Sequence, residues 1–255
     1  MKRIPATSYL TAIYLFFYIL IIVLIAYSFN TAQYSLVWHG FSLRWYHELF
    51  TDADLWIAVG HSLVLGVFAA TVAMSIGGLA AVSLYRYEFT GRKLLYGLVF
   101  ILILSPDIVM GISLLILFSL IGMSPGFWTL LLAHITFCIP FVVVTVYSRI
   151  VSFDQYIFEA AKDLGATDTV IFTRVILPLL WPALLAGWLL SFTLSLDDVI
   201  ISYFVAGPDF EILPLKIYSM VRLGVKPEIN ALCSITFLLT LILIILSQVI
   251  RRKKP

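Results

Sequence analysis

Long apolar stretches alternate with short polar segments along this chain, and six of the stretches are long enough to cross a membrane. An α-helix rises 1.5 Å per residue, so about 20 apolar residues span the roughly 30 Å of hydrocarbon in a bilayer. The six stretches cover residues 8–29, 57–84, 94–120, 127–148, 176–200 and 229–250. The pattern predicts an all-α, polytopic membrane protein with six transmembrane helices in a single transmembrane domain, 1–255.

One boundary between spans depends on turn residues rather than on charge. The stretch from Ile108 to Ser148 has no charged residue and is too long for one span. The segment I-G-M-S-P-G, residues 121–126, supplies the glycine and proline that a turn needs. The stretch is therefore divided there into two spans.

Composition agrees with a membrane protein and excludes several classes. Of the 255 residues, 62% are hydrophobic and 12% are charged, whereas about a quarter of a soluble domain is charged. A net charge of +2 is too small to indicate nucleic-acid binding. Cys138 and Cys233 lie inside apolar spans and form no C-x-x-C motif, so neither a metal site nor a disulfide framework is expected. No lysine follows a glycine, so the chain lacks a P-loop and is not itself an ATPase.

The positions of the basic residues predict the orientation in the membrane. With the N-terminus inside, twelve Lys and Arg residues fall in inner segments and four in outer ones. Cytoplasmic loops carry the excess of basic residues, so both termini are expected in the cytoplasm. The first span follows Lys2 and Arg3, and it is longer than a signal peptide's apolar region and has no small-residue cleavage site after it, so we expect a retained helix. Four tryptophans are expected near the outer interface: Trp38, Trp45, Trp56 and Trp128.

The outer loop, 30–56, contains a second kind of helix. Phe41, Trp45 and Leu49 repeat every four residues, as on one face of an amphipathic helix. Such a helix either lies on the membrane surface or forms a platform for an extracytoplasmic partner. The pattern leaves both interpretations open.

An inner loop, about 149–177, carries charges that the spans avoid. Glu159, Lys162 and Asp163 share one face of a short predicted helix, and the other face is formed by Ala160, Ala161 and Leu164. Charged loops are commonly no more than solvated connectors. Alternatively, the small side chains allow the groove of another protein to approach closely.

The loop is expected to turn back on itself. Gly165 is suited to the left-handed position that closes a helix, and Thr167 can cap a second short helix with Asp168 in its first turn. Pro178 marks the entry to the next span. The result is a helix–turn–helix elbow projecting from the membrane.

The sequence of the elbow resembles a known motif. The pattern E-A-A-x-x-x-G-x(9)-I-x-L-P is similar to the motif of permease subunits in ABC importers, and it is matched by Glu159, Ala160, Ala161, Gly165, Leu177 and Pro178, with Val175 in place of the isoleucine. Further segments resemble the spermidine/putrescine importer permeases of the PotC type: 85–93, 105–113, 138–149, 190–199 and 211–220. This resemblance covers essentially the whole chain. It implies the type I (MetI-like) permease fold in a bacterial inner membrane.

The resemblance also implies partners. Members of this family work with a homologous permease of the PotB type, a cytoplasmic ATPase dimer of the PotA type and a periplasmic polyamine-binding protein of the PotD type. ATP and Mg²⁺ are bound by the ATPase, and the permease needs no cofactor. The elbow residues Glu159, Ala160, Ala161, Asp163 and Gly165 would enter a cleft of that ATPase.

Three acids lie inside apolar stretches, where each costs about 2.5–3.5 kcal/mol on insertion scales. They are Asp107, Asp197 and Asp198. Counting 1.5 Å per residue from the inner end of each span places them at one level, roughly 20 Å above the cytoplasmic interface. A layer of carboxylates there would suit a polyamine, whose ammonium groups need separated acids and whose methylenes suit aromatic faces. Trp188 and Tyr203 are the aromatic candidates for this pathway.

The three acids have structural interpretations as well. Asp198 continues a stripe of small residues, Gly187, Ser191 and Ser195, and is expected to face the pathway, with Asp197 about 100° away. Small residues line either a pore or a close helix contact. Asp107 can instead cap the helix that resumes after Pro106, and the Asp197–Asp198 pair can mark an interfacial turn.

Proteins of other functional classes would show different sequence features. A secondary transporter would use Asp107 or Asp198 as a proton or sodium site and would work without an ATPase. A membrane enzyme would need convergent catalytic residues, and an anion importer would need basic residues in its spans; the sequence has neither. His61 and His134 lack ligand spacing and are expected to pack or to form hydrogen bonds.

Overall fold

A computed structural model describes residues 6–32, 37–154, 156–222 and 227–252, and it is helical over most of them. The helices are α1 (Ala6–Tyr27), α2 (Arg44–Thr51), α3 (Ala53–Arg86), α4 (Arg92–Leu104), α5 (Asp107–Leu120), α6 (Phe127–Ile150), α7 (Tyr156–Asp163), α8 (Asp168–Ile171), a π-helix (Phe172–Ile176), α9 (Leu177–Asp197), α10 (Ile200–Val205), α11 (Leu213–Arg222) and α12 (Pro227–Arg252). The predicted all-α class is confirmed.

Within the described ranges, four helical stretches are long and apolar enough to cross a membrane: Tyr9–Tyr27, Ala53–Arg86, Phe127–Ile150 and Asp168–Asp197. The pair α4 and α5 makes a fifth if it is one broken span. The sixth predicted span, 229–250, corresponds to α12, where most side chains beyond Leu238 lie outside the described part. The count of six remains a prediction.

The predicted interruption at Pro106 is a sharp bend. The axes of α4 and α5 differ by 113°. Proline disfavours helical backbone in the residue before it. Ser105 is accordingly extended, with φ −69° and ψ 132°. Residues 94–120 are thus two short helices at an angle instead of one continuous rod.

The chain divides into two compact units, of which the first contains residues 1–56 and 216–255. Here α12 packs against α1 and α2. Asn30 is fully buried between α1 and α2, where its side-chain amide donates to the Val37 carbonyl (3.0 Å) and its Oδ1 accepts from the His39 amide (2.9 Å). These bonds satisfy a buried polar group and hold the loop after α1 in place.

The amphipathic helix predicted at 41–50 is present as α2. Trp45 and Leu49 are each 2% exposed within the first unit, and Phe41, just before the helix, is 69% exposed. The Trp45 indole donates to the Asn30 carbonyl at 2.6 Å. Protein atoms cover Trp45 on all sides, and its expected position near the outer interface remains a prediction. Trp38, Trp56 and Trp128 remain exposed.

The second unit, residues 57–215, is built around α6, which contacts α4, α5, α9 and α10. Buried residues form two apolar clusters, one including Val142, Val146 and Leu180, the other including Leu130 and Ile201. Large apolar side chains on the outside of α3, α4 and α9 are exposed. Apolar side chains on the outer surface as well as in the core are expected of helices surrounded by lipid.

Two adjacent glycines bring α3 close to its neighbours. A Cβ on Gly77 would lie 2.8 Å from the Val142 Cβ of α6, and one on Gly78 would lie 2.7 Å from a Leu184 methyl of α9. Both distances are shorter than van der Waals contact, so a larger residue would push the helices apart. Small residues allow the close helix approach that packing within a membrane requires.

Candidate functional site

The elbow is closed by a glycine, as the sequence predicts. Gly165 has φ +77°, in the left-handed region that side-chain-bearing residues rarely adopt. The Gly165 amide donates to the Lys162 carbonyl at 2.8 Å, and the Ala166 amide donates to the Ala161 carbonyl at 3.1 Å. This pair of bonds is a Schellman motif, which satisfies the last carbonyls of α7 and reverses the chain.

The second arm of the elbow begins at the predicted cap. Thr167 is extended, and its Oγ1 accepts from the Val170 amide at 3.5 Å. Asp168 lies in the first turn of α8, where an acid interacts favourably with the helix dipole. After one turn the chain passes through the π-helix into α9 without leaving helical geometry. The elbow is therefore continuous with a membrane span.

The predicted coupling residues lie mainly on the outside of this elbow. Glu159, Ala160, Asp163 and Gly165 are exposed, whereas Ala161 is half-buried and packs against the core of the second unit. The five positions thus form a small surface in which four residues are accessible and Ala161 contacts the core beneath them. That they bind an ATPase remains a prediction.

An ion pair links the elbow to the end of α3. Arg86 Nη2 donates to Asp168 Oδ1 across 82 residues of sequence. The arginine side chain is 17% exposed and the aspartate side chain 64%. The sequence analysis placed Asp168 at the start of a helix and did not pair it with Arg86. Nothing in the spacing of two charges so far apart could have done so.

Of the three intramembrane acids, Asp107 and Asp197 are exposed. Asp107 is the first residue of α5, and Pro106 occupies the N-cap position. The alternative that Asp107 itself caps this helix is therefore wrong. Asp197 is the last residue of α9. Both carboxylates are accessible from outside the folded chain, as a role in a substrate pathway requires.

Asp198 has a different environment. It is 8% exposed, and its carboxylate accepts from the Ile201 amide (3.2 Å), the Ser202 amide (2.8 Å) and the Ser202 hydroxyl (2.7 Å). It thereby satisfies the amide groups at the start of α10. The expected orientation of the pair is reversed, because capping turns Asp198 inward and leaves Asp197 outside. A role for Asp198 in the substrate pathway remains a prediction, and the burial of its side chain does not support it.

A buried polar network surrounds Asp198. His134 on α6 lies 2.7 Å from Ser195 Oγ through Nδ1 and 2.9 Å from Ser202 Oγ through Nε2. Because Ser202 gives its one proton to Asp198, a neutral His134 must donate from Nε2 and accept at Nδ1. The chain of bonds joins α6, α9 and α10, and every donor in it meets an acceptor. His134 is thus the hydrogen-bonded residue that the sequence predicts.

The stripe of small residues on α9 is a helix contact. Gly187, Ser191 and Ser195 are buried, and a Cβ on Gly187 would lie 3.4 Å from Val142 of α6. The Cys138 thiol on α6 donates to the Ser191 carbonyl at 3.5 Å. Of the two interpretations left open, close packing within the chain is the correct one.

The two aromatic candidates lie in different environments. The Trp188 indole donates to Thr71 Oγ1 at 3.0 Å and stacks on Phe192 with a centroid distance of 5.3 Å. Tyr203 is 56% exposed.

The second histidine in an apolar span also has partners within the protein. His61 stacks on Phe210 and lies 2.9 Å from the Glu211 carbonyl through Nδ1. Within the described ranges, no three His, Cys, Asp or Glu side chains form a metal-ligand group.

Comparisons with known proteins define the family. Residues 62–253 match the family model described as "Binding-protein-dependent transport system inner membrane component". The spermidine/putrescine transport system permease protein PotC of Escherichia coli (strain K12) is 55% identical over 252 residues, 99% of this chain and 96% of that protein. The PotC protein of Haemophilus influenzae is 52% identical and covers 96% of both chains. The putrescine transport system permease protein PotI of Escherichia coli (strain K12) is 43% identical over 86% of this chain and 81% of its own length.

Solved structures agree on the fold. A chain of a bacterial ABC transporter involved in the import of the acidic polysaccharide alginate superposes with a TM-score of 0.69 at 18% identity, covering 100% of this chain and 99% of the other. A chain of the MetNI methionine ABC transporter, in an inward-facing conformation, gives 0.59 at 19% identity over 78% and 93%. The MetI-like fold and the resemblance noted at the elbow are confirmed, and the prediction that the chain is not an enzyme holds. The chain belongs to the family of inner membrane components of binding-protein-dependent transport systems.

Proposed function

We propose that this chain is the permease subunit of an ATP-driven polyamine importer, carrying spermidine or putrescine. The relatives named for this transport, at 55% and 43% identity, support the substrate class. The exposed elbow with its glycine-closed turn supports coupling to an ATPase, since the chain has no P-loop. The elbow is the observation on which the mechanism rests.

The complex would contain a homologous permease of the PotB type, an ATPase dimer of the PotA type and a polyamine-binding protein of the PotD type. The excess of basic residues in the predicted inner segments supports a cytoplasmic position for both termini and for the elbow. The binding protein then delivers polyamine to the opposite side. The ATPase moves the elbow, and the elbow moves α9, because α8, the π-helix and α9 form one continuous helical path.

The exposed acids support a cationic substrate. Asp107 and Asp197 are accessible carboxylates at the ends of membrane helices, and each can form a charge-assisted hydrogen bond with an ammonium group. Tyr203, the fourth residue of α10, is exposed and offers an aromatic face. These groups would line a pathway shared with the second permease.

The experiment is uptake of radiolabelled spermidine by proteoliposomes that contain the complete complex, with ATP inside. Gly165→Asp should lower uptake at least tenfold, because the left-handed turn is strained by a side chain and the elbow loses its shape. Gly122→Asp is the matched control, since Gly122 also has a left-handed φ, +70°, and open space around it, but lies in a predicted outer turn. Equal loss in both variants, or uptake that persists without the ATPase, would reject the proposal.

A further inference from the structure

A cavity of about 690 Å³ opens beside the first turn of α4, in the second unit. We name it the α4 cavity, and its walls include Leu84, Phe89, Arg92, Lys93, Tyr96 and Tyr147. It contains none of the elbow residues assigned to coupling and none of the acids assigned to the pathway. The proposed import mechanism therefore leaves its cations unused.

The cavity carries positive charge on a fixed side chain. Arg92 Nε donates to the Leu84 carbonyl at 2.9 Å, which anchors the guanidinium at the end of α3. Its Nη1 lies 3.9 Å from Glu88 Oε1, too far for a hydrogen bond, and the glutamate side chain is 97% exposed. An exposed pair of this length contributes little. The terminal nitrogens of Arg92, together with the exposed Lys93 ammonium, remain able to donate to an anion.

An apolar track leads away from this charged mouth. Tyr96, Phe100 and Leu104 follow one another at intervals of four along α4, so they share a face, and each is more than 40% exposed. The Tyr96 and Phe100 rings are in contact, with centroids 5.0 Å apart. The cations of Arg92 and Lys93 thus lie at one end of an exposed apolar face. This arrangement fits a molecule that has a phosphate at one end and hydrocarbon at the other.

We infer that the α4 cavity binds the phosphate-bearing headgroup of an anionic phospholipid, with its acyl chains along the α4 face. The inference rests on the proposed orientation, which puts Arg92 and Lys93 at the cytoplasmic leaflet, whose anionic lipids attract clustered basic residues. The polyamine substrate is excluded from this cavity by charge, since two cations face a single acid there. The bound lipid would brace α4 against α3 and α6, whose residues form the remaining walls.

The test uses the full chain together with its partner subunits. The complex is reconstituted into nanodiscs of phosphatidylcholine with a minor fraction of phosphatidylglycerol and is then purified again. Lipids that survive a detergent wash are quantified by mass spectrometry. Phosphatidylglycerol should be enriched over its bulk fraction, and Lys93→Gln should reduce the retained amount about fivefold, since one basic contact at the surface is lost. Arg92→Gln should do the same, and Arg92→Lys should retain at least part of the enrichment.

The controls separate this site from general attraction and from misfolding. Arg174→Gln removes one exposed cation from the same predicted side of the membrane but not from the cavity, and it should leave retention unchanged. Lys93 is exposed and forms no part of the Arg92–Leu84 anchor, so its variant tests the site even if Arg92→Gln fails to fold. Equal loss in Arg174→Gln, or no enrichment in the unmodified chain, would overturn the inference.

A final pair of measurements identifies the source of the phosphate and separates the two proposals. If inorganic phosphate at low millimolar concentration displaces phosphatidylglycerol, the site takes free phosphate and the lipid assignment is wrong. Spermidine uptake is measured in the same preparations. Selective lipid retention in a complex that fails to transport spermidine would reject the proposed function and leave the lipid site intact, whereas the reverse result would reject the lipid site alone.

Discussion

The elbow and the network around Asp198 are both polar clusters in an apolar chain, and they differ in almost every other respect. The elbow is contiguous in sequence, exposed and closed by backbone hydrogen bonds at Gly165. The network joins His134, Ser195, Asp198 and Ser202 from three helices and is buried. Polar groups that face outward are available for partners, while polar groups that face inward are occupied by one another. An intramembrane acid is therefore not evidence of a pathway until its exposure is known.

The largest effect should come from removing the buried acid. Asp198→Ala leaves the Ile201 and Ser202 amides without their acceptor inside the protein, and we expect a loss of about 3 kcal/mol in stability. For a chain of this size that corresponds to a fall in Tm of roughly 6–12 °C, measured by thermal unfolding in detergent. Asp197→Ala removes the same charge one residue away on the exposed side. If both variants unfold at the same temperature, the contrast drawn between the two acids is wrong.

The exposed acids should affect transport instead. Asp197→Asn and Asp107→Asn each remove one charged acceptor, and we expect spermidine uptake to fall about tenfold with Tm nearly unchanged. The measurement is initial uptake at subsaturating substrate, with Tm determined on the same samples. Normal uptake in both variants would remove the exposed carboxylates from the proposed pathway.

Two neighbouring alanines of the elbow should separate coupling from packing. Ala160 is exposed, so Ala160→Trp should reduce polyamine-stimulated ATP hydrolysis while leaving Tm within a few degrees. Ala161 is half-buried against the core of the second unit, and Ala161→Trp should destabilise the chain by about 1–3 kcal/mol through overpacking. ATPase activity and Tm are measured for each. Identical behaviour of the two variants would show that the elbow has no distinct outer surface.

The smallest effect belongs to the ion pair between Arg86 and Asp168. An ion pair with one exposed partner contributes at most about 1 kcal/mol, so Arg86→Gln or Asp168→Asn should change Tm by only a few degrees. The pair holds the elbow to α3, and its loss should lower the ratio of polyamine imported to ATP hydrolysed more than it lowers Tm. In a double-mutant cycle, the charge-reversed pair Arg86→Asp with Asp168→Arg should recover part of that ratio. If the losses of the two single variants simply add in the double variant, the two residues act independently.

Much of the fold and part of the candidate site could be predicted from local sequence. Gly165 and Thr167 specify a turn and a cap through their own backbone and side-chain chemistry, so the elbow was predictable down to single residues. The partner of Arg86, the inward turn of Asp198 and the burial of Trp45 were not. Each depends on residues brought together from distant parts of the chain, and periodicity within one helix carries no information about which neighbour covers a given face.

Sequence alone was enough to identify a helical membrane protein, to locate its long apolar helices and its positively charged segments, and to predict that the Glu159 loop reverses at Gly165. Tertiary structure alone decided which of two adjacent aspartates is buried, that the small residues of α9 meet α6, and that Arg92 is anchored at the mouth of a cavity. The physical reason is that burial and hydrogen bonding are properties of pairs of elements. Hydropathy, capping and charge along a chain act within one element and can be identified before the elements are assembled.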